Sequence, residues 1–185
     1  MNGYAKVQRP DPCVMELVSR LAQEPWTDRP ASVHPVLGAV ARAVHDHSSS
    51  AGRRELLPLA PQFLDTARPG FEPSARLVAL CVSTALTSGE ITGDERRRLE
   101  AAHRTAMHLL GAEEHPAGAA RWWLPVLGHR SEAFYRTFVA TEHAAEAVAV
   151  TARTANDVRL RSLLKLCLAA QPKPSCSASA QKSGS

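Results

Sequence analysis

Apolar residues recur at helical spacing along most of this chain, and short breaks rich in proline, glycine and serine separate the periodic stretches. Helical periodicity of this kind predicts amphipathic helices, and no comparable alternating pattern predicts strands. Hydrophobic residues make up 44% of the chain but aromatic residues only 5%, so the core must consist mainly of Ala, Leu and Val. The sequence therefore predicts an all-α fold, a single helical bundle or a short helical-pair array, with about seven or eight helices.

Composition divides the chain into three parts. Residues 1–11 have no apolar period and predict a flexible arm, whereas residues 12–170 carry the helical pattern. Residues 171–185 are rich in serine and too polar to bury a face, which predicts a disordered tail.

Several helices are predicted from capping residues and apolar spacing. Ser32 is expected to cap a helix whose apolar stripe consists of Val33, Val36, Leu37, Val40 and Val44. A helix opened by Ser74 contains the wholly apolar run Leu77 to Val82, so it should cross the centre of the fold with Leu80 buried. Prolines 58 and 61 should kink or split the stretch that precedes it.

The second half of the chain continues the pattern. The sequence from Thr92 to Glu95 matches a capping box, for a helix that ends at Gly111. Ser131 is expected to open a long helix with one face formed by Phe134, Phe138, Thr141, Ala145 and Val148. The last helix should bury Leu160, Leu163, Leu164 and Cys167.

Charge gives little support for a nucleic-acid function. The net charge is +4, and the densest basic run is Arg96 to Arg98, which is surrounded by Asp94, Glu95 and Glu100. Opposite charges at i, i+3 and i+4 support one another on a solvated helix face. A nucleic-acid-binding regulator using the Arg96–Arg98 helix is therefore an alternative that we do not favour.

The acidic and histidine residues form an incomplete metal motif. Glu100 and His103 match the Glu-x-x-His pattern of di-iron bundles, but His143 and Glu146 stand in the reversed order and a second true motif is missing. We therefore predict no metal and no cofactor. If the chain is an enzyme, His103, Glu142 and His143 are the candidates for acid and base catalysis.

The cluster from His45 to His47 has a plain structural interpretation. Residues two apart on a helix do not face each other, and histidine at a helix C-terminus favours the helix dipole. The serines that follow, residues 48–50, are typical caps of a next helix. The chain has no Gly-x-Ser-x-Gly, P-loop or Gly-x-Gly-x-x-Gly motif.

Two tryptophans carry the clearest functional signal. Adjacent residues on a helix point about 100° apart, so Trp122 and Trp123 cannot both enter one core. Exposed tryptophan beside an arginine, here Arg121, is common in binding hot spots. These three residues are the predicted partner-binding site, and Trp26 in a proline-rich loop is expected to fill the core.

The cysteines and the lack of targeting segments complete the prediction. Cys81 and Cys167 lie in apolar runs and should be buried, and neither a secretory signal nor a membrane-spanning run is visible. We expect a cytoplasmic helical regulatory or accessory protein that acts through contact with another protein. The alternative is a small all-α enzyme of specialised metabolism with a pocket between its helices.

Overall fold

The computed structural model describes residues 13–114 and 131–171, and in these residues it contains seven α-helices and no strand. The prediction of an all-α fold is confirmed. The helices are α1 (Val14–Leu21), α2 (Pro35–Asp46), α3 (Ser50–Leu56), α4 (Phe71–Leu86), α5 (Gly93–Glu114), α6 (Ala140–Ala152) and α7 (Asp157–Ala169). A 3-10 helix, Leu57–Phe63, follows α3, and a π-helix, Tyr135–Val139, leads into α6.

Helix α4 lies at the centre and packs against α2, α5, α6 and α7. Leu77, Val78 and Cys81 are fully buried in it. Leu80 is only half-buried, so the expectation for this residue was wrong. It lies on the same side of α4 as Arg76 and Ser83, both of which are exposed. The apolar run therefore includes a residue, Leu80, that lies outside the buried face of the helix.

The predicted apolar stripe of α2 is buried along its whole length. Its predicted start was wrong, because α2 begins at Pro35 and its N-cap is His34, which makes no side-chain capping bond. Proline suits the first helical position, since it has no N–H to leave unpaired and its φ is already helical. This start places the His34 side chain at the end of α2.

The ends of α4 and α5 also differ from prediction. Helix α4 begins at Phe71, three residues before Ser74, because Gly70 with φ of 112° turns the chain into the helix. The capping box of α5 is confirmed: the Thr92 backbone N–H donates to the Glu95 carboxylate at 3.0 Å. The same helix continues past Gly111 to Glu114.

The predicted face of the helix after Ser131 was wrong for its two phenylalanines. Phe134 and Phe138 are 59% and 60% exposed, and their rings lie 5.3 Å apart. Val148 is buried as predicted, and the face that packs on α2 and α4 is completed by small residues, Ala140, Ala144, Ala147 and Thr151. The π-helix lies just before this face, and its wider turn shifts the register that a constant 3.6-residue period predicts.

Trp26 does not fill the core, and this prediction was also wrong. Its side chain is 63% exposed, and the Arg20 guanidinium lies 5.9 Å from the centre of its ring. The Trp26 ring therefore makes a cation–π contact with Arg20 of α1 at the protein surface.

The remaining helices agree with the expected pattern. The stretch with two prolines is split into α3 and the 3-10 helix. Helix α7 buries the four predicted residues, Leu160, Leu163, Leu164 and Cys167. The Sγ atoms of Cys81 and Cys167 lie 3.7 Å apart, which brings α4 and α7 into contact in the core.

Some predictions fall outside the described residues. These are the arm at residues 1–11, the predicted partner-binding residues Arg121, Trp122 and Trp123, and the tail predicted at residues 171–185, apart from Gln171. Within the described residues, no helix combines the length and apolar character needed to cross a membrane.

Candidate anion-binding site

A cavity of about 460 Å³ lies between the start of α2, the loop before it and the π-helix. Its walls carry three arginines and no aspartate or glutamate. The lining residues are Arg29, Pro30, Ala31, Val33, His34, Pro35, Gly38, Arg42, Ala67, Pro69, Arg136, Thr137 and Thr141. A volume of this size is in the range of small-molecule sites.

One wall of the cavity is a single face of α2. His34, Gly38 and Arg42 are spaced at i, i+4 and i+8, so they lie one above another. A Cβ at Gly38 would lie 3.4 Å from Nη1 of Arg42, which means that the guanidinium extends back over the glycine. The same Cβ would lie 3.7 Å from Val33 and 3.8 Å from Met15, so the missing side chain lets all three neighbours pack closely around Gly38.

Arg42 is held in place but only partly neutralised. Its Nη1 donates to the Asp28 carbonyl oxygen at 2.8 Å, and its Nε lies 3.8 Å from the Asp28 carboxylate. Burial lowers the pKa of the guanidinium; Asp28 opposes this shift, and the positive charge of Arg29 adds to it. Arginine stays protonated in proteins, so Arg42 and Arg29 both bring positive charge to the cavity lining.

The loop between α1 and α2 is ordered by Glu24. Its carboxylate accepts the backbone N–H groups of Ala31 at 2.6 Å and Ser32 at 2.9 Å. The Ala67 N–H donates to the Ser32 carbonyl at 3.0 Å, which ties this loop to the segment before α4. Arg29 and Pro30 are thereby positioned along the cavity.

The opposite side of the cavity is formed by the π-helix. Nη1 of Arg136 donates to the Arg68 carbonyl at 3.2 Å, and its Nε lies 3.5 Å from the Glu132 carboxylate without forming a hydrogen bond. The same carboxylate accepts the Gly70 N–H at 3.1 Å. Thr137 lines the cavity beside Arg136. π-Helical turns are frequent at functional sites because they alter which side chains share a face.

His34 is the buried polar group of the site. It has no exposed surface, its Nε2 lies 3.4 Å from the Ser74 hydroxyl, and its Nδ1 has no hydrogen-bond partner among the described residues. Burial lowers the pKa of the imidazole to about 4, and the charge of Arg136 acts in the same direction. The ring is therefore neutral near pH 7, with one nitrogen that donates and one that accepts.

This set of groups can bind an anion with an apolar body. Guanidinium groups form charge-assisted, bidentate hydrogen bonds with carboxylates and phosphates. The remaining wall is largely apolar, formed by Val33, Pro30, Pro35, Pro69, Ala31 and Ala67. The cavity therefore combines positive charge with a surface that can bury carbon atoms.

The residues predicted as catalytic or metal-binding lie elsewhere, on α5 and α6. Nε2 of His103 lies 3.2 Å from the Ser83 hydroxyl, and Glu146 forms an ion pair with Arg98 at 2.8 Å. Glu142 is exposed on α6 and His143 is half-exposed. None of these residues, nor Glu100, lines the cavity. Among the described residues, no group of three or more His, Cys, Asp or Glu could hold a metal ion.

The end of α2 agrees with its structural interpretation. His45 Nδ1 lies 3.4 Å from the Asp46 carboxylate, and His47 is the C-cap residue of the helix. The Ser49 hydroxyl accepts the Gly52 N–H at 3.1 Å and so caps α3. These residues are apart from the cavity lining.

The basic run on α5 is exposed and carries carboxylate partners. Arg97 pairs with Asp94 on its own helix, and Arg98 pairs with Glu146 on α6. Acidic side chains therefore lie among the arginines of this face. This arrangement is the solvated helix surface that the sequence predicts.

Sequence reasoning missed the cavity arginines because they come from three separate segments. The spacing of His34, Gly38 and Arg42 is the one local signal: polar or side-chain-free positions at i, i+4 and i+8 mark a face distinct from the apolar stripe. No comparable signal links this face to Arg136. Comparisons of the chain with protein-family models, with curated proteins and with solved structures found no match.

Proposed function

We propose that this domain binds a small organic anion in the cavity and that it works as a ligand-binding regulatory or accessory protein. The single observation that carries the proposal is the cavity itself, which has Arg29, Arg42 and Arg136 on its walls and no acidic side chain among its lining residues. Like charges that converge on one space repel one another, and a bound anion removes that repulsion.

The surroundings of the arginines support binding more than a purely structural role. Each of Arg42 and Arg136 has one carboxylate at 3.5 Å or more, beyond good hydrogen-bond distance. For Arg29, no side-chain ion pair with a described residue is found. The guanidinium groups therefore keep donors for a ligand. In an ion pair with a purely structural role, the guanidinium and carboxylate would lie closer together and all the donors would be hydrogen-bonded.

A calorimetric titration tests the proposal. Inorganic phosphate and a panel of small carboxylates are titrated into the full chain and into Arg42→Gln, with Arg97→Gln as the matched control. Arg97 is an exposed arginine on α5 that pairs with Asp94 and does not line the cavity. We expect binding that Arg42→Gln weakens at least about tenfold, the worth of one charge-assisted bond. Equal binding by both variants, or no binding at all, would refute the proposal.

Contact with another protein remains our proposal for how the ligand-bound domain acts. The predicted residues Arg121, Trp122 and Trp123 lie outside the described part of the chain. Within it, the exposed pair Phe134 and Phe138 supports such a contact, because aromatic side chains, phenylalanine included, are enriched at the centre of protein interfaces. The test is a double serine substitution at this pair, which should release a partner identified by mass spectrometry and leave anion binding unchanged.

A cytoplasmic location is part of the same proposal. Cys81 and Cys167 lie 3.7 Å apart as free thiols, which is the form favoured in a reducing compartment. Alkylation of both thiols after rapid denaturation of whole cells is the expected result. The enzyme alternative also remains a prediction; the cavity supplies a pocket between helices, with His34 rather than His103 or His143 at its wall.

A further inference from the structure

The cavity opens to solvent beside the π-helix. Several of its lining residues are exposed, namely Arg29, Ala31, Ala67, Pro69 and Thr137. Because Thr137 is both exposed and part of the lining, it lies at the edge of the opening. An extended chain segment can therefore lie across the opening and place one side chain in the cavity.

An exposed aromatic pair adjoins this edge. The rings of Phe134 and Phe138 lie 5.3 Å apart, and the two side chains are 59% and 60% exposed. Phe138 follows Thr137 in the chain, and the hydroxyl of Thr141, another lining residue, donates to the Phe138 carbonyl at 2.8 Å. Neither phenylalanine lines the cavity itself. A small anion held inside leaves this apolar pair in water, whereas a longer ligand that extends out of the cavity can cover it.

The charge of the lining favours a phosphate group over a carboxylate. The lining contains three arginines and no aspartate or glutamate. A phosphorylated side chain carries about −1.5 to −2 charges near pH 7 and three acceptor oxygens. A carboxylate carries one charge and two oxygens. Wherever in the cavity the anion lies, the more highly charged group gains more from the positive field, and arginine clusters are a recurring means of binding phosphorylated peptides.

The surroundings of the cavity favour one phosphate rather than a row of them. Glu142 is exposed on α6 one turn after Phe138, and Asp28 is exposed beside Arg42. A nucleic acid carries a phosphate on every nucleotide, so these carboxylates would repel the phosphates that lie outside the cavity. A peptide with a single phosphorylated residue places that charge in the cavity and can lay uncharged side chains outside it.

We infer that the bound anion is the phosphate of a phosphorylated residue in a partner protein, and that a neighbouring apolar side chain of the same segment packs on Phe134 and Phe138. This inference rests on the proposed function, since it uses the same arginines and names the source of the anion. Packing on the phenylalanines buries apolar surface that a free anion does not bury. The anion site and the partner contact are then two parts of one interface.

Immobilised peptide libraries test the inference. A fixed central position carries phosphoserine, phosphothreonine or phosphotyrosine, the matched libraries carry Ser, Thr, Tyr or Glu at that position, and the flanking positions are random. We expect the full chain to bind one phosphorylated library at least about tenfold more tightly than its unphosphorylated and glutamate matches. Sequencing of the retained peptides should show apolar residues enriched at a flanking position.

Arginine variants test the phosphate contact. Arg42→Gln should weaken binding of a phosphopeptide selected from the library at least about tenfold, the worth of one charge-assisted bond. Arg97→Gln is the matched control, because Arg97 is an exposed arginine outside the lining. If Arg42→Gln fails to fold, Arg29→Gln tests the same cavity at an exposed loop residue.

A double serine variant tests the apolar contact. Phe134→Ser combined with Phe138→Ser should weaken the same phosphopeptide at least about tenfold and leave the calorimetric titration with inorganic phosphate unchanged. Met107→Ser is the control, since Met107 is 50% exposed on α5 and does not line the cavity. Phosphopeptide binding that the double variant leaves at full strength would show that the phenylalanines do not contact the segment, contrary to the inference.

The outcomes distinguish the inference from the proposed function. If small anions bind in a manner that depends on Arg42 but no phosphorylated library is preferred, the inference is wrong and the proposed function stands. If a labelled oligothymidylate binds more tightly than the selected phosphopeptides, the partner is a nucleic acid and the inference is again wrong. If neither the peptides nor the small anions bind, the proposed function itself is refuted. A phosphate-dependent preference that both Arg42→Gln and the double serine variant weaken supports the inference.

Discussion

Replacement of two leucines on α4 by alanine should have clearly different effects on stability. Leu77 is fully buried and Leu80, three residues further along the same helix, is half-buried beside the exposed face. Each substitution deletes the same atoms and changes helix propensity equally, so propensity cancels in the comparison. The difference that remains is how much apolar surface leaves water and how large a cavity forms.

The magnitudes follow from burial. At Leu77 the three lost carbon groups, one methine and two methyls, cost about 0.8 kcal/mol each, and the cavity adds to this, for a total of about 3–4 kcal/mol. At Leu80 about half of the transfer term is lost and solvent fills the gap, for about 1 kcal/mol. In a chain of this size 1 kcal/mol shifts the melting temperature by about 2–4 °C. The expected shifts are therefore about 6–16 °C for Leu77→Ala and about 2–4 °C for Leu80→Ala.

Thermal unfolding followed by circular dichroism at 222 nm measures both shifts, and urea unfolding gives the free energies independently. The m-value should stay the same in both variants, because neither changes the surface exposed on unfolding to a large extent. Equal shifts, or a larger shift for Leu80→Ala, would refute the placement of α4 at the centre with this face outward.

Three further outcomes are expected. Hydrogen bonds from Arg153 and Thr92 lower the pKa of Glu95 from its ordinary value near 4.5 to about 2. Its contribution to stability is therefore complete above pH 4.5 and is lost as the pH falls from 4.5 to 2. Glu95→Gln should flatten the plot of melting temperature against pH over this range. Trp26→Ala should change the melting temperature by less than about 2 °C, because the ring is a surface group. Cys81→Ser should destabilise the fold by about 1–3 kcal/mol in urea unfolding, since it puts a hydroxyl in the apolar core.

The spacing of apolar residues predicts the buried faces correctly where a helix keeps a constant 3.6-residue period. The stripe of α2 and the buried residues of α7 were predicted from sequence because a 3.6-residue period continues unbroken through each helix. The capping box at Thr92 was predicted because both partners are local, three residues apart. In these elements the residues that decide the structure are near one another in the chain.

Phe134 and Phe138 show where that reasoning fails. A constant period groups these large apolar residues into a buried face, but the π-helix changes the register, and the small residues of α6 allow a closer approach to α2 and α4 than phenylalanine would. Trp26 fails for a related reason, since its size suggested burial while Arg20 provides a surface partner. Both errors come from contacts that a local pattern does not contain.

The cavity was beyond prediction because its parts meet only in the folded chain. Arg29 comes from the loop after α1, Arg42 from α2 and Arg136 from the π-helix, more than ninety positions further along. Each arginine alone resembles an ordinary surface residue in a chain with net charge +4. Their positions depend on contacts in separate segments: Glu24 orders the loop that carries Arg29, and Arg68 and Glu132 contact Arg136.

Three prolines lie on the wall of the cavity. Pro30 and Pro69 are in the adjoining loops and Pro35 opens α2, and none of them has a backbone N–H that could hydrogen-bond to a neighbouring segment. With few aromatic side chains in the composition, no large ring fills the gap, and the side chains that enter it are guanidinium groups that repel each other. Such a cavity cannot close on itself without bringing like charges closer together. An anion with an apolar body would pair with the guanidinium groups and also bury carbon atoms against the apolar wall. We therefore assign function to this cavity, where the fold departs from close packing.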